Sequence, residues 1–115
     1  MSHDALQNAS FFIESPVAID TFAFVRVRTG ITIKEVNYLC VGGTNWVGQV
    51  QEGDANGLNG ANTQSIDTTA LAGVNNSITT FSNAVVDAGD YLVLKTTSVS
   101  GTPTSLVVTI NYLEN

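Results

Sequence analysis

Hydrophobic and polar positions alternate along most of the chain, and the alternation is cleanest near its end. Leu106, Val108, Ile110 and Tyr112 share one parity, with Ser105, Thr109 and Asn111 on the other. That period of two is the signature of a half-buried strand. It predicts strands over 91–97 and 105–113, joined by the turn-rich Ser98-Val99-Ser100-Gly101-Thr102-Pro103. Further strands are expected at 10–14, 19–28, 31–41, 45–52, 63–68, 77–81 and 84–86, with 70–75 forming a turn or one short helical turn. Residues 1–9 read as a lead-in or arm, and 10–115 as one domain.

Local irregularities refine the pattern. In 19–28, Phe22 and Phe24 share a face with Arg26 and Arg28, and Ala23, Val25 and Val27 share the other. Either face could be the core; the second gives cleaner burial at the far end and leaves the two aromatics to fill an edge or an interface. Ile31 and Ile33 have one parity, but Val36, Tyr38 and Cys40 have the other. A bulge near Lys34-Glu35 would bring both sets to one face, because one extra residue shifts the alternation. Phe11 and Phe12 are adjacent on a strand, so they point to opposite faces. One of them is exposed in a monomer, which points to a subunit interface.

About eight strands at spacings near ten residues are expected of an all-β single-domain sandwich, a jelly roll. Composition agrees: Thr, Ser, Asn and Gly are abundant and long charged residues scarce, which suits a pleated surface better than a helical one. The chain carries 4 Lys plus Arg against 10 Asp plus Glu, a formal charge of −6. Nucleic acid is therefore not an expected partner, since Lys and Arg supply most phosphate affinity; an anionic membrane surface is disfavoured too. No apolar run approaches the roughly 18 residues of a membrane span, and Met1-Ser2-His3-Asp4 lacks the basic and apolar regions of a signal peptide. A soluble protein made in the cytoplasm is expected.

Candidate chemistry is sparse. Cys40 is the single cysteine, so no intrachain disulfide exists, and its place at the end of Tyr38-Leu39-Cys40-Val41 suggests a buried, inert thiol. His3 is the single histidine and lies in the arm, which leaves neither a zinc cluster nor a catalytic triad. No phosphate-binding glycine loop appears. The stretch Glu52-Gly53-Asp54-Ala55-Asn56-Gly57 faintly resembles a calcium loop, but its glycine is misplaced and no Glu closes it. An Asx/Gly turn accounts for the same letters. If a cation binds, Glu52, Asp54 and Asn56 are its ligands; otherwise no cofactor is expected. Asp87 and Asp90 bracket Ala88-Gly89, where capping of a tight turn is the plainer account than acid/base chemistry. Trp46, after Gly42-Gly43, either covers the end of a core or offers a platform to a sugar ring or a protein.

Several patches together resemble a family of small jelly-roll-like structural proteins of tailed bacteriophages: Phe11-Phe12-Ile13-Glu14-Ser15-Pro16, Ile31-Thr32-Ile33-Lys34-Glu35-Val36, Val50-Gln51-Glu52-Gly53-Asp54-Ala55-Asn56-Gly57, and Asp87-Ala88-Gly89-Asp90. Thr97–Thr104 leading into Val107–Tyr112 completes the likeness. Relatives often carry a cysteine on either side of the Asp-Ala-Asn-Gly stretch; here Gly53 and Gly60 stand there, so that clasp is absent. The resemblance implies no catalytic residues. It implies a virion protein, either a capsid decoration or a module of a head or tail fibre, synthesised in the host cytoplasm.

In that reading Phe11, Phe12, Phe22, Phe24 and Trp46 are the interface or ligand candidates. Edge-strand contacts would hold a homotrimer or join the chain to a capsid or fibre protein. Two other readings stand beside it. A carbohydrate or host-receptor module, taking a neutral glycan, would gather Trp46, Tyr38 and the 53–62 loop at one end of the sandwich. A cellular adhesion or structural domain would need neither glycan nor particle.

Overall fold

The computed structural model describes residues 6–18, 21–53, 62–63, 68–81 and 83–115. Among the described residues ten strands are formed: β1 Gln7–Glu14, β2 Thr21–Arg26, β3 Ile31–Val41, β4 Asn45–Gly53, β5 Asn62–Thr63, β6 Thr68–Leu71, β7 Asn75–Ile78, β8 Val85–Val86, β9 Tyr91–Ser100 and β10 Ser105–Glu114. They build two antiparallel sheets, one ordered β1-β10-β3-β7 with β8 also on β3, the other β2-β9-β4-β5 with β6 also on β4. β7 and β8 pair with different parts of β3, and β5 and β6 with different parts of β4. The ten strands therefore occupy eight positions. β10 lies between β1 and β3, and β9 between β2 and β4, which is the jelly-roll order of an all-β sandwich.

The predicted alternation supplies the core. Ile31 and Ile33, then Val36, Tyr38 and Cys40, all point inward from β3 and are buried. The register change that allows this lies at Lys34, since Glu35 pairs with Asn111 while Ile33 pairs with Tyr112. A second irregularity carries β9 past its expected end. Gly48 pairs with Thr96 but Val47 with Ser98, so Thr97 is the extra residue. Thr96 is buried, and Val99 packs against the core beyond the bulge.

Other boundaries differ from the sequence pattern for reasons of pairing. β1 starts at Gln7 rather than Ser10, because Gln7, Asn8 and Ala9 pair with Tyr112, Asn111 and Ile110. Ala70 and Leu71 belong to a strand, not a turn, because β4 offers them partners: Ala70 pairs with Trp46 and is buried, and Leu71 pairs with Asn45. β7 starts at Asn75 because β3 offers it partners at Val36–Leu39. Of the strand expected over 63–68, residues 64–67 lie outside the described residues.

Trp46 joins the two sheets. Its ring stacks on Tyr38 of the facing sheet, centroids 5.1 Å apart and planes 29° from parallel. Its Nε1–H donates to Thr96 Oγ1 at 2.9 Å, so the one polar atom of the indole is satisfied where it is buried. The ring lies over Gly48: a Cβ there would come within 2.4 Å of the indole and 2.3 Å of the Lys95 carbonyl oxygen. At the end of the sandwich, the β3–β4 turn packs on the β9–β10 turn. Gly43 has φ +66, and a Cβ on it would sit 2.6 Å from the Pro103 nitrogen.

Gly48→Ala should therefore unfold more readily than the parent. Overpacking a site bounded by backbone and an indole costs about 1–3 kcal/mol, read as a lower urea midpoint with an unchanged slope.

Candidate functional site

Eight- to eleven-residue strands β1, β10 and β3 lie side by side in the first sheet and give it a broad outer face. Opposed residues in an antiparallel ladder share a face, so the registers define rows across it. Asn8, Asn111 and Glu35 form one row, and Ser10, Thr109, Asn37 and Ser77 the next. Phe12, Val107, Leu39 and Asn75 follow. Glu14, Ser105 and Val41 follow at that end, and beyond the Lys34 bulge Leu113, Thr32 and Val85 form a row at the other. Polar side chains thus dominate one half, bounded by the row of Leu113, Thr32 and Val85, and an apolar row crosses the other.

The polar half is cross-linked by hydrogen bonds. Asn111 Nδ2 donates to Glu35 Oε1 at 3.0 Å, and the Ser77 hydroxyl donates to Glu35 Oε2. Ser10 and Thr109 hydroxyls lie 3.1 Å apart, and Asn75 Nδ2 donates to Asn37 Oδ1 at 3.2 Å. Hydrogen bonds from Ser77, then Asn111 and Asn37, hold the Glu35 carboxyl below its ordinary value, because each favours the charged form. One carboxylate thereby ties β3, β7 and β10 together.

The apolar row ends at the sheet edge. Phe12 is 59 % exposed, while Phe11 packs partly buried against the core from the opposite face. The adjacent phenylalanines thus separate as their parity requires. Phe22 and Phe24 lie on β2, with Phe22 opposite Leu94 in register; their side chains lie outside the described residues. Trp46 is wholly buried, so of its two readings the core is the one the structure holds, and it offers no ring face to a ligand. Tyr38 is likewise buried. Cys40 is buried, its thiol directed at the Gly42 carbonyl at 3.6 Å, and burial pushes its pKa up.

A second cluster is assembled by the topology. Glu52 at the end of β4 meets Asp87 and Asp90 of the β8–β9 turn, with one carboxylate oxygen from each within 4.8 Å of the others. Glu52 is 1 % exposed, and its Oε2 accepts the Asp87 backbone N–H at 2.9 Å. The turn itself is closed by Asp90 N–H on the Asp87 carbonyl at 3.2 Å, with Gly89 at φ +92. The Arg26 guanidinium lies beside it, 3.8 Å from where a Gly89 Cβ would be. The donor set is one a hard cation accepts. The bond to Asp87 N–H gives Glu52 a second office, clamping the turn onto the end of β4. Asp54 and Asn56, expected with Glu52 as cation ligands, lie outside the described residues, as does His3.

Sequence reasoning did not find a cleft of about 250 Å³ between the sheets, lined mainly by Val25, Val27, Ile31, Leu92 and Tyr112, with Arg26 and Arg28 contributing. Its residues come from β2, β3, β9, β10 and the segment after β2, and only the folded order brings them together.

No family model and no curated protein matches the chain. Among solved structures, a chain of the cyanophage Pam1 capsid asymmetric unit is similar, at TM-score 0.58 and 15% identity, covering 96% of this chain and 84% of that one. A chain from Bacillus endospore appendages, a family of disulfide-linked pili, gives TM-score 0.47 at 14% identity, over 96% and 89%. One from infectious bursal disease virus, Gx strain, gives 0.40 at 14%, over 96% of this chain and 37% of that one. The last two are too distant to carry an argument. The first shows a shared fold, a jelly roll also found in a viral capsid.

Glu35→Gln tests the polar network through pH. A carboxylate with a lowered folded-state pKa adds stability above its ordinary value of 4.5 and loses it as pH falls through the folded value. The variant should be slightly less stable than the parent at neutral pH, with the gap closing below about pH 4.5, as followed by thermal unfolding across a pH series.

Proposed function

We propose that this chain is a non-enzymatic structural protein of a phage virion, a jelly-roll subunit that decorates a capsid or forms part of a head or tail fibre. The observation that supports the reading most is the fold shared with the Pam1 capsid chain across nearly the whole of both chains. The surface accords with it. The outer face of the first sheet is built mainly of Asn, Ser and Thr with an apolar row, its carboxylates being Glu35 and Glu14, which suits repeated contacts with copies of the chain or with a shell. Many such contacts, each weak, are multiplied by local concentration on a particle. A glycan module is the weaker reading, because Trp46 and Tyr38 are stacked on each other inside the sandwich rather than displayed at its end.

The test is mass spectrometry of gradient-purified particles from the source of the chain. The chain should be present in fixed ratio to the major coat protein and survive a high-salt wash. Its absence from clean particles overturns the proposal.

The role requires no cofactor. Chelation should leave the melting temperature unchanged. A rise on adding calcium that the chelator reverses, and that Asp87→Asn abolishes, would instead assign Glu52, Asp87 and Asp90 to a cation.

A further inference from the structure

Sheet edges offer unpaired backbone groups, and proteins usually blunt them with short strands, bulges, prolines or charges. Among the described residues, every edge but one is blunted. β7 has four residues, β8 two, β5 two and β6 four. β2 is interrupted by a register shift between Ala23 and Val25 and carries Arg26. β1 is different: eight residues in unbroken register with β10, without proline or a basic residue, and with its one charge, Glu14, at the end.

The direction of its free groups follows from the ladder. Ser15 N–H donates to the Thr104 carbonyl at 2.9 Å, and this pair continues the β1–β10 register. Backbone groups in an antiparallel ladder alternate sides. Those of Gln7, Ala9, Phe11 and Ile13 therefore face β10, and those of Asn8, Ser10, Phe12 and Glu14 face outward. All four outward residues are exposed.

We propose that this edge pairs with the same edge of a second copy of the chain, antiparallel, about a two-fold axis at Phe11. That axis is selected by the positions themselves. It pairs Asn8 with Glu14 and Ser10 with Phe12, so every outward backbone group of the strand finds a partner. An axis one position either way strands one end: at Phe12 it sets Asn8 against Pro16, which has no N–H, and at Ser10 it sets Glu14 against Leu6, outside the strand. The same register sets Glu14 against an amide rather than against the other Glu14, and brings Phe11 to face its copy. Phe11 and Ile13 pack against the core but are only partly buried at the open side of the sandwich. Pairing would complete their cover and join the two five-stranded sheets into one. The inference does not depend on a virion role, since a cellular protein of this fold would pair in the same way.

Light scattering of the purified chain, at concentrations up to the millimolar range, should give twice the 12.1 kDa chain mass. Ser10→Pro removes an outward N–H without touching the β10 ladder, and proline is tolerated on an edge. Phe12→Lys places a charge beside the edge instead. Both variants should fall to the single-chain mass while keeping a cooperative thermal transition. If one variant fails to fold, the other still decides. A parent that is a monomer or a trimer, or a folded variant that remains a dimer, overturns the proposal.

Discussion

The Trp46 indole, lying on Gly48 and against Tyr38, is the contact on which the two sheets depend. It brings the largest side chain of the core in at the start of β4, where the next inward position must be empty to receive it. Glycine in a strand interior costs conformational entropy and leaves nothing to pack. Here the missing side chain is the fit, since the ring fills the space above the bare backbone. Thr96, paired with Gly48 across the ladder, supplies the oxygen the indole N–H requires. Gly48 and Thr96, on neighbouring strands, thus hold one ring, and Tyr38 extends that hold to the facing sheet.

The bulges follow from the same demand. A strand that runs straight must spend alternate residues on the outside, and β3 and β9 both have more inward apolar residues than a single parity allows. The extra residue at Lys34 keeps Ile31 and Ile33 on the side of Val36 and Tyr38. The one at Thr97 lets Val99 reach the core after Thr96 has served the indole.

The first of these bulges is legible in the sequence, because both sets of apolar residues are long enough to show a change of parity. The second is not: Thr96-Thr97-Ser98 carries no apolar residue to mark the slip. The same limit explains Trp46. Its dipeptide neighbourhood fits a surface platform or a core cover equally well, and the deciding residues, Tyr38 and Thr96, are remote in sequence. Gly48 was the available local signal, an isolated glycine two positions from a tryptophan on one strand face. Glu52 meets Asp87 only because β4 and the β8–β9 turn end at the same corner, so a reading that looked for ligands nearby placed Glu52 with Asp54 and Asn56 instead. Strand existence, by contrast, rests on local alternation and was readable nearly throughout.

How the outside is built bears on what the fold is for. A jelly roll that works through a pocket concentrates chemistry in loops at one end of the sandwich. Here Glu35 bridges three strands on the sheet face, and Glu52 fastens a turn at a corner. Such bonds fix the shape of a surface. A chain of net charge −6 would repel its own copies if the acids lay across that face. Instead the middle of β1, β10 and β7 carries Asn, Ser and Thr, and the carboxylate of Glu35 is engaged by its neighbours. Low charge where sheets would meet, together with rigid hydrogen-bonded relief, is a physical basis for repeated association.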